Sequence, residues 1–284
     1  MKTPDLHIFS TRDAYLLIAT SMFLGLFIGI SLQGLVPQGE GGALLDRLVL
    51  LIGELVIMIP PLFILAQRKV TLMEVLPFHP ISPITILMSM VMICGVIGLV
   101  AVYEVLIIPY FPVPEFLQQM DDSLFDGGMF ANIMLIIAAV VVAPVVEEFL
   151  FRGLLQQSLF YQYGSLLPAL VIPTIIFALF HIGYLFYVPA LIELLALGIL
   201  LAWLMAKTGN VLIPILVHAL FNLSAFTGLF MGADTNINTL SDLGVPWIVG
   251  SIVLFGMGWV YFISMQTVVR ASVYLIPSPH EVDS

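Results

Sequence analysis

The chain has 284 residues, 61% of them hydrophobic and 9% charged, against about 25% charged in a soluble domain. A single core of this length still leaves a large polar shell to fill, so no water-soluble fold hides that much apolar surface, and lipid is the solvent for most of the chain. The formal net charge of −10 sits mostly in a few connecting segments and at the termini, and with 8 Lys and Arg in all no basic stretch neutralises several phosphates, which argues against nucleic acid as a partner.

Crossing a hydrocarbon core about 30 Å thick takes roughly 20 apolar residues as a helix. Eight runs of about that length follow one another: Ala14 to Val36, Leu44 to Ala66, Ile84 to Ile108, Met129 to Val146, Leu166 to Gly183, Leu185 to Ala206, Val211 to Met231 and Val245 to Val269. No small-x-small cleavage site closes the first, so it is expected to stay as a transmembrane helix rather than leave as a signal peptide. Gly25 and Gly29 within it form a GxxxG pair, which apolar segments contain by chance too often to carry functional weight. The single Cys94 lies in the third run; it excludes an internal disulfide or thiolate cluster and is expected to be a small core residue. Glu147 to Tyr163 is polar in part but contains no Pro, so it reads as a continuation of the fourth helix.

The expected fold is therefore all-α, a polytopic transmembrane bundle of about eight spans forming one integral membrane domain over residues 1–284, with no internal repeat and no long linker. Lys and Arg are enriched on the cytoplasmic side of membrane proteins. A path with both termini cytoplasmic puts Lys2, Arg12, Arg68, Lys69, Lys207 and Arg270 inside and Arg47 outside. The acidic loop Glu115 to Asp126 and the loop holding Asp234 and Asp242 then face outward. A compact chain of this kind is compatible with a prokaryotic plasma membrane.

Ionisable residues inside spans are the informative ones, because each costs several kcal/mol near the bilayer centre unless paired or facing water. Three helices carry groups of them. On the fourth, Glu147-Glu148-x-x-x-Arg152 places Arg152 one turn beyond Glu148 on the same face, so those two neutralise each other and Glu147 points elsewhere, unpaired. Phe177-x-x-x-His181 lies on the fifth span and His218-x-x-x-Asn222 on the seventh. A lone histidine on an apolar face is usually a satisfied core residue, but two on separate spans, beside a spare carboxylate, imply a shared polar cavity. Glu193, Glu54 and Glu104 also lie in or near spans; Glu193 bonds neighbouring helices or lines the cavity, and Glu104 is expected to reach the interface.

These three ordered motifs resemble those of the CPBP family (CAAX protease and bacteriocin-processing, also called ABI or type II CAAX prenyl endopeptidase). The likeness extends over roughly Met129 to Met231 and includes Phe151, Gly153 and the Thr208-Gly209-Asn210 turn. It implies an intramembrane endopeptidase that hydrolyses a peptide bond of a membrane-associated, possibly prenylated, protein or peptide. Glu147 is then the base, His181 helps activate the water, and His218 with Asn222 stabilises the oxyanion, with Glu148, Arg152 and Phe177 in support. Such roles suit the chemistry, since hydrolysis needs a base for water and donors aimed at the developing negative oxygen. Metal use stays open: His181, His218 and Glu147 would make a His2Glu zinc set, but no HExxH helix is present, and the resemblance favours a metal-free, glutamate-dependent reaction.

Two rival readings use the same residues. A transporter would place its proton or ion relay there but predicts repeated halves with discontinuous helices; a non-catalytic adaptor linked to bacteriocin immunity would keep them as scaffold. Straight, upright helices would set the motif residues at unequal depths, so tilt, a kink at Pro173 or a fourth helix projecting beyond the bilayer is needed to bring them together. A wet cavity open to the cytoplasmic side, with a lateral gap for substrate, follows from that arrangement.

Overall fold

Capping residues start two of the long helices in the computed structural model, which describes residues 10–37, 42–125, 127–226 and 239–267. Ser10 and Asp13 form a capping box that starts α1 (Thr11–Gln33). Helix α2 (Ala43–Arg68) is interrupted at Met58, where Pro60 and Pro61 remove two successive backbone donors. Ser82 caps α3 (Pro83–Ile107), whose first residue is the proline that suits a first turn. After α4 (Glu115–Phe125) comes α5 (Gly128–Tyr163), the longest helix, ended by Gly164 at φ +58°. Then follow α6 (Leu166–Phe180), α7 (Val188–Thr208), ended by Gly209 at φ +60°, α8 (Leu212–Ser224) and α9 (Val245–Ser264). No strand occurs among the described residues.

Six helices are long and apolar enough to cross a membrane: α1, α2, α3, α5, α7 and Leu240–Ser264, which includes α9. The other two expected spans are shorter. At 1.5 Å per residue, the 15 residues of α6 and 13 of α8 reach about 20 Å, less than the hydrocarbon thickness. Apolar composition runs on past the helix in α6: residue 181 leaves the helical region at ψ 58°, and Ile182–Phe186 form a 3-10 turn that delays α7 to Val188. The segment 115–125, expected as a loop, is helical; Glu115 favours its N-terminal turn, and Phe116, Leu117, Met120 and Leu124 recur at helical spacing. Lys2, Asp234 and Arg270, and the ends expected at Met231 and Val269, lie outside the described residues.

Small residues allow the closest helix contacts. A Cβ on Gly95 of α3 would collide with the backbone nitrogen of Phe255 on α9, one on Gly98 with Ser251, and one on Gly258 of α9 with Met92, so this seam is set by backbone approach rather than by interlocking side chains. Cys94, expected in the core, is exposed: its neighbours Met92, Ile93 and Gly95 take the inward face of α3 and turn it away. Gly25 of α1 packs against Gly53 and Ile57 of α2, whereas Gly29 meets nothing within 4 Å. One end of the bundle is tied by hydrogen bonds from Thr11 to the Ser158 carbonyl, Arg68 to Asp13 and Lys207 to the Met265 carbonyl. There the fully buried Asn210 donates to the His79 carbonyl while its own side-chain oxygen accepts from the Leu212 N–H.

The 36 residues of α5 extend about 50 Å at 1.5 Å per residue, well past the hydrocarbon thickness. Two of its stretches, Ile137–Val142 and Phe149–Leu155, are wound as π-helix. In the first, Ala143 donates to Ala138, five residues back. The next residue, Pro144, has no N–H, so the Ala139 carbonyl loses its partner in the helix. That orphan carbonyl is one element of the site.

Candidate active site

Glu148 is the centre of a buried charge chain. One of its oxygens, Oε1, accepts from Arg152 Nη1 at 2.9 Å, the i,i+4 pair that helical spacing predicts, and faces His218 Nδ1 at 2.9 Å from α8. Arg152 uses its other terminal nitrogen on the Gly198 carbonyl of α7 at 3.0 Å. A side chain at Gly198 would collide with Thr174 of α6, so the glycine lets α7 pack closely on α6 at this point. Glu148 and Arg152 are fully buried, and His218 is 2% exposed; such a pair holds geometry, and removing one partner strands the other charge.

Glu147 stands outside this chain. Its side chain is 13% exposed, and its Oε2 lies 3.7 Å from His218 Nε2, beyond hydrogen-bond length. Of the two adjacent carboxylates it alone keeps both access and free lone pairs. Because Glu148 only accepts and is held by Arg152, His218 donates to it from Nδ1, which turns Nε2 toward Glu147.

His181 sits one residue past the end of α6 rather than within it. Its Nδ1 lies 2.9 Å from the Phe177 carbonyl, and a carbonyl can only accept, so Nδ1 carries hydrogen and neutral His181 presents a bare Nε2. Phe177, buried to 1% exposure, joins the motifs: its ring lies 4.5 Å from that of His181, 5.8 Å edge-on to that of His218, and 5.1 Å from the Arg152 guanidinium carbon. Phe151 meets the same ring edge-on at 5.5 Å. Asn222 donates from Nδ2 to the orphan Ala139 carbonyl at 2.8 Å, which fixes the amide against α5 and leaves its second N–H free for another acceptor.

The structure thus brings Glu147, Glu148, Arg152, Phe177, His181 and His218 around one point and anchors Asn222 to the same helix. The unequal depths expected for upright helices do not keep the motif residues apart: Glu147 lies 3.7 Å from His218, and the Phe177 ring touches those of both histidines. Among the described residues no group of three or more His, Cys, Asp and Glu side chains is arranged to hold a metal ion. His181, His218 and Glu147 therefore do not fit a zinc site in this arrangement. Glu193 is half-buried on α7, and the charge that acts on it is that of the exposed Glu104. Pro144 escaped the sequence reading, although a proline inside an apolar helix signals an unpaired carbonyl needing a donor. No curated protein and no solved structure matches the chain. Residues 129–224, from α5 through α8 and so carrying all three motifs, match the family model described as type II CAAX prenyl endopeptidase Rce1-like, the family that those motifs resemble.

Proposed function

We propose that the protein is an intramembrane endopeptidase that cleaves a peptide bond of a membrane-associated or prenylated protein or peptide, with Glu147 as the base for water. The observation that carries this reading is the contrast between adjacent carboxylates: Glu148 is spent on Arg152 and His218, while Glu147 is accessible and uncommitted. Water gives a proton to Glu147 as its oxygen attacks the scissile carbonyl carbon. The bare Nε2 of His181 is suited to accept a hydrogen bond from the same water. Negative charge then gathers on the carbonyl oxygen, where Asn222 offers its free N–H. His218 can offer an N–H from Nε2 only as an imidazolium, since its Nδ1 hydrogen already goes to Glu148. Glu147 finally returns the proton to the amide nitrogen as the C–N bond breaks.

The proposal extends to a single integral membrane domain over residues 1–284, with a family-like core at about 129–231, eight segments entering the bilayer, both termini cytoplasmic and a prokaryotic plasma membrane as the setting. The two short helices α6 and α8 would enter without crossing it completely as regular helix. A peptidase assay on the purified protein with a membrane-peptide library tests the activity. Cleavage by the wild type and its loss in a folded Glu147→Ala variant support the reading; wild-type inactivity across the library would favour a transporter or adaptor.

A further inference from the structure

We infer that Glu54 is a further residue of this site, a positioning carboxylate that holds, together with Glu147, the water to be activated; the inference rests on the proposed hydrolysis. Glu54 belongs to α2, outside the matched segment and every motif. Gly53 and Ile57 of α2 face α1 at Gly25. Glu54, one residue beyond Gly53 and about 100° further around the helix, is turned toward another neighbour. Helix α2 packs along α5 through the stretch from Gly128 to Glu148, and the charges of Glu54 and Glu147 interact.

The Glu54 side chain is half-buried, but its Oε2 is fully enclosed and has no hydrogen-bond partner among the described residues. No cation is paired with it there either: Arg152, the cation of the site, is taken by Glu148 and Gly198. A carboxylate oxygen withdrawn from water without a donor is costly, so this oxygen calls for a hydrogen-bond donor that the described residues do not supply. A bound water satisfies it, because water offers two O–H donors to two acceptors. Donating one hydrogen to Glu54 and the other to Glu147, that water turns its lone pairs away from both carboxylates and toward the substrate carbonyl. When Glu147 takes its proton, the remaining O–H stays on Glu54 and keeps the nucleophile oriented as the new C–O bond forms.

The test uses the full chain in detergent or vesicles. Glu54→Leu should lower kcat by about 10-fold to 100-fold with KM unchanged, since misplacing a reactant costs this much without altering substrate binding. Glu54→Gln, whose amide oxygen still accepts from water, should recover most of that loss. A structural residue would give neither the split nor the rescue, and Glu54→Leu at the wild-type kcat would overturn the inference. A second readout needs no activity. In a Cys94→Ser background, a cysteine replacing Glu54 should react with a small hydrophilic thiol reagent, while one replacing Leu55, which is 52% exposed on the outer surface of α2, should not. Equal lack of reaction at both positions would overturn the placement of Glu54, whereas a reactive cysteine at position 54 alongside a wild-type protein that cleaves nothing would leave the placement standing and count against the proposed hydrolysis alone.

Discussion

The α3–α9 seam and the α5–α6–α8 site are held together by opposite means. Among the described residues the seam has no ionic contact; Gly95, Gly98 and Gly258 let two backbones approach, Ser251 bonds within its own helix to the Trp247 carbonyl, and Trp203 of α7 stacks on Trp259 at 4.8 Å. In the site, a guanidinium and the imidazole of His218 are wired by hydrogen bonds through a fully buried Glu148, while His181 bonds to the Phe177 carbonyl. Lipid tails are as apolar as leucine, so helices gain little from mere burial; close van der Waals contact suffices where the task is adhesion. Charge is retained where a polar group must be pointed somewhere. Damage to the seam should therefore cost stability, and damage to the site should cost chemistry.

The largest effect should come from Arg152→Ala, which leaves Glu148 buried beside His218 without its cation. It is expected to destabilise the fold by about 3–5 kcal/mol, read from a detergent-unfolding midpoint, and to abolish cleavage. Exchanging both partners, as Glu148→Gln with Arg152→Met, should restore much of the stability without restoring activity, because His218 no longer has an anionic acceptor. Asn222→Ala sharpens the comparison from the other side: kcat should fall about 100-fold to 1,000-fold through the lost oxyanion donor, while stability drops by only about 1 kcal/mol for the bond to Ala139. In the seam, Gly95→Leu should cost about 1–3 kcal/mol of stability by overpacking against Phe255, with kcat per folded molecule unchanged. The smallest effect is expected at Pro144→Ala. Restoring an N–H for the Ala139 carbonyl should release Asn222 and lower kcat about fivefold, the equivalent of one modest hydrogen bond, with stability unchanged or slightly higher.

Much of the site was legible because helical spacing is rigid. Glu148 and Arg152, four residues apart, had to share a face, and intramembrane charges at three places along the chain implied helices that meet. What remained hidden depended on departures from that regularity or on contacts between segments remote in sequence. His181 reads as a helical position by its spacing from Phe177, yet α6 ends at Phe180, and the bond to the Phe177 carbonyl closes the turn. The Ala139 carbonyl is freed by π winding together with Pro144, a combination that apolar periodicity does not report. Glu54 lies far from the motifs in the chain, and only the packing of α2 on α5 brings their helices together. The expectation of eight full spans counted apolar residues where hydrogen-bonded helix length mattered, which is why α6 and α8 came out short. Cys94 was misplaced for a related reason: in lipid an apolar run does not distinguish inward from outward faces.

The central claim, that Glu147 rather than its neighbour Glu148 is the base, is tested most directly by comparing the wild type with Glu147→Gln on a membrane-peptide library, under conditions where both show the same unfolding midpoint. The account predicts cleavage by the wild type and a loss of about 100-fold to 10,000-fold in kcat for the variant, the range expected for removing a general base. A Glu147→Gln protein that cleaves at the wild-type rate would contradict it.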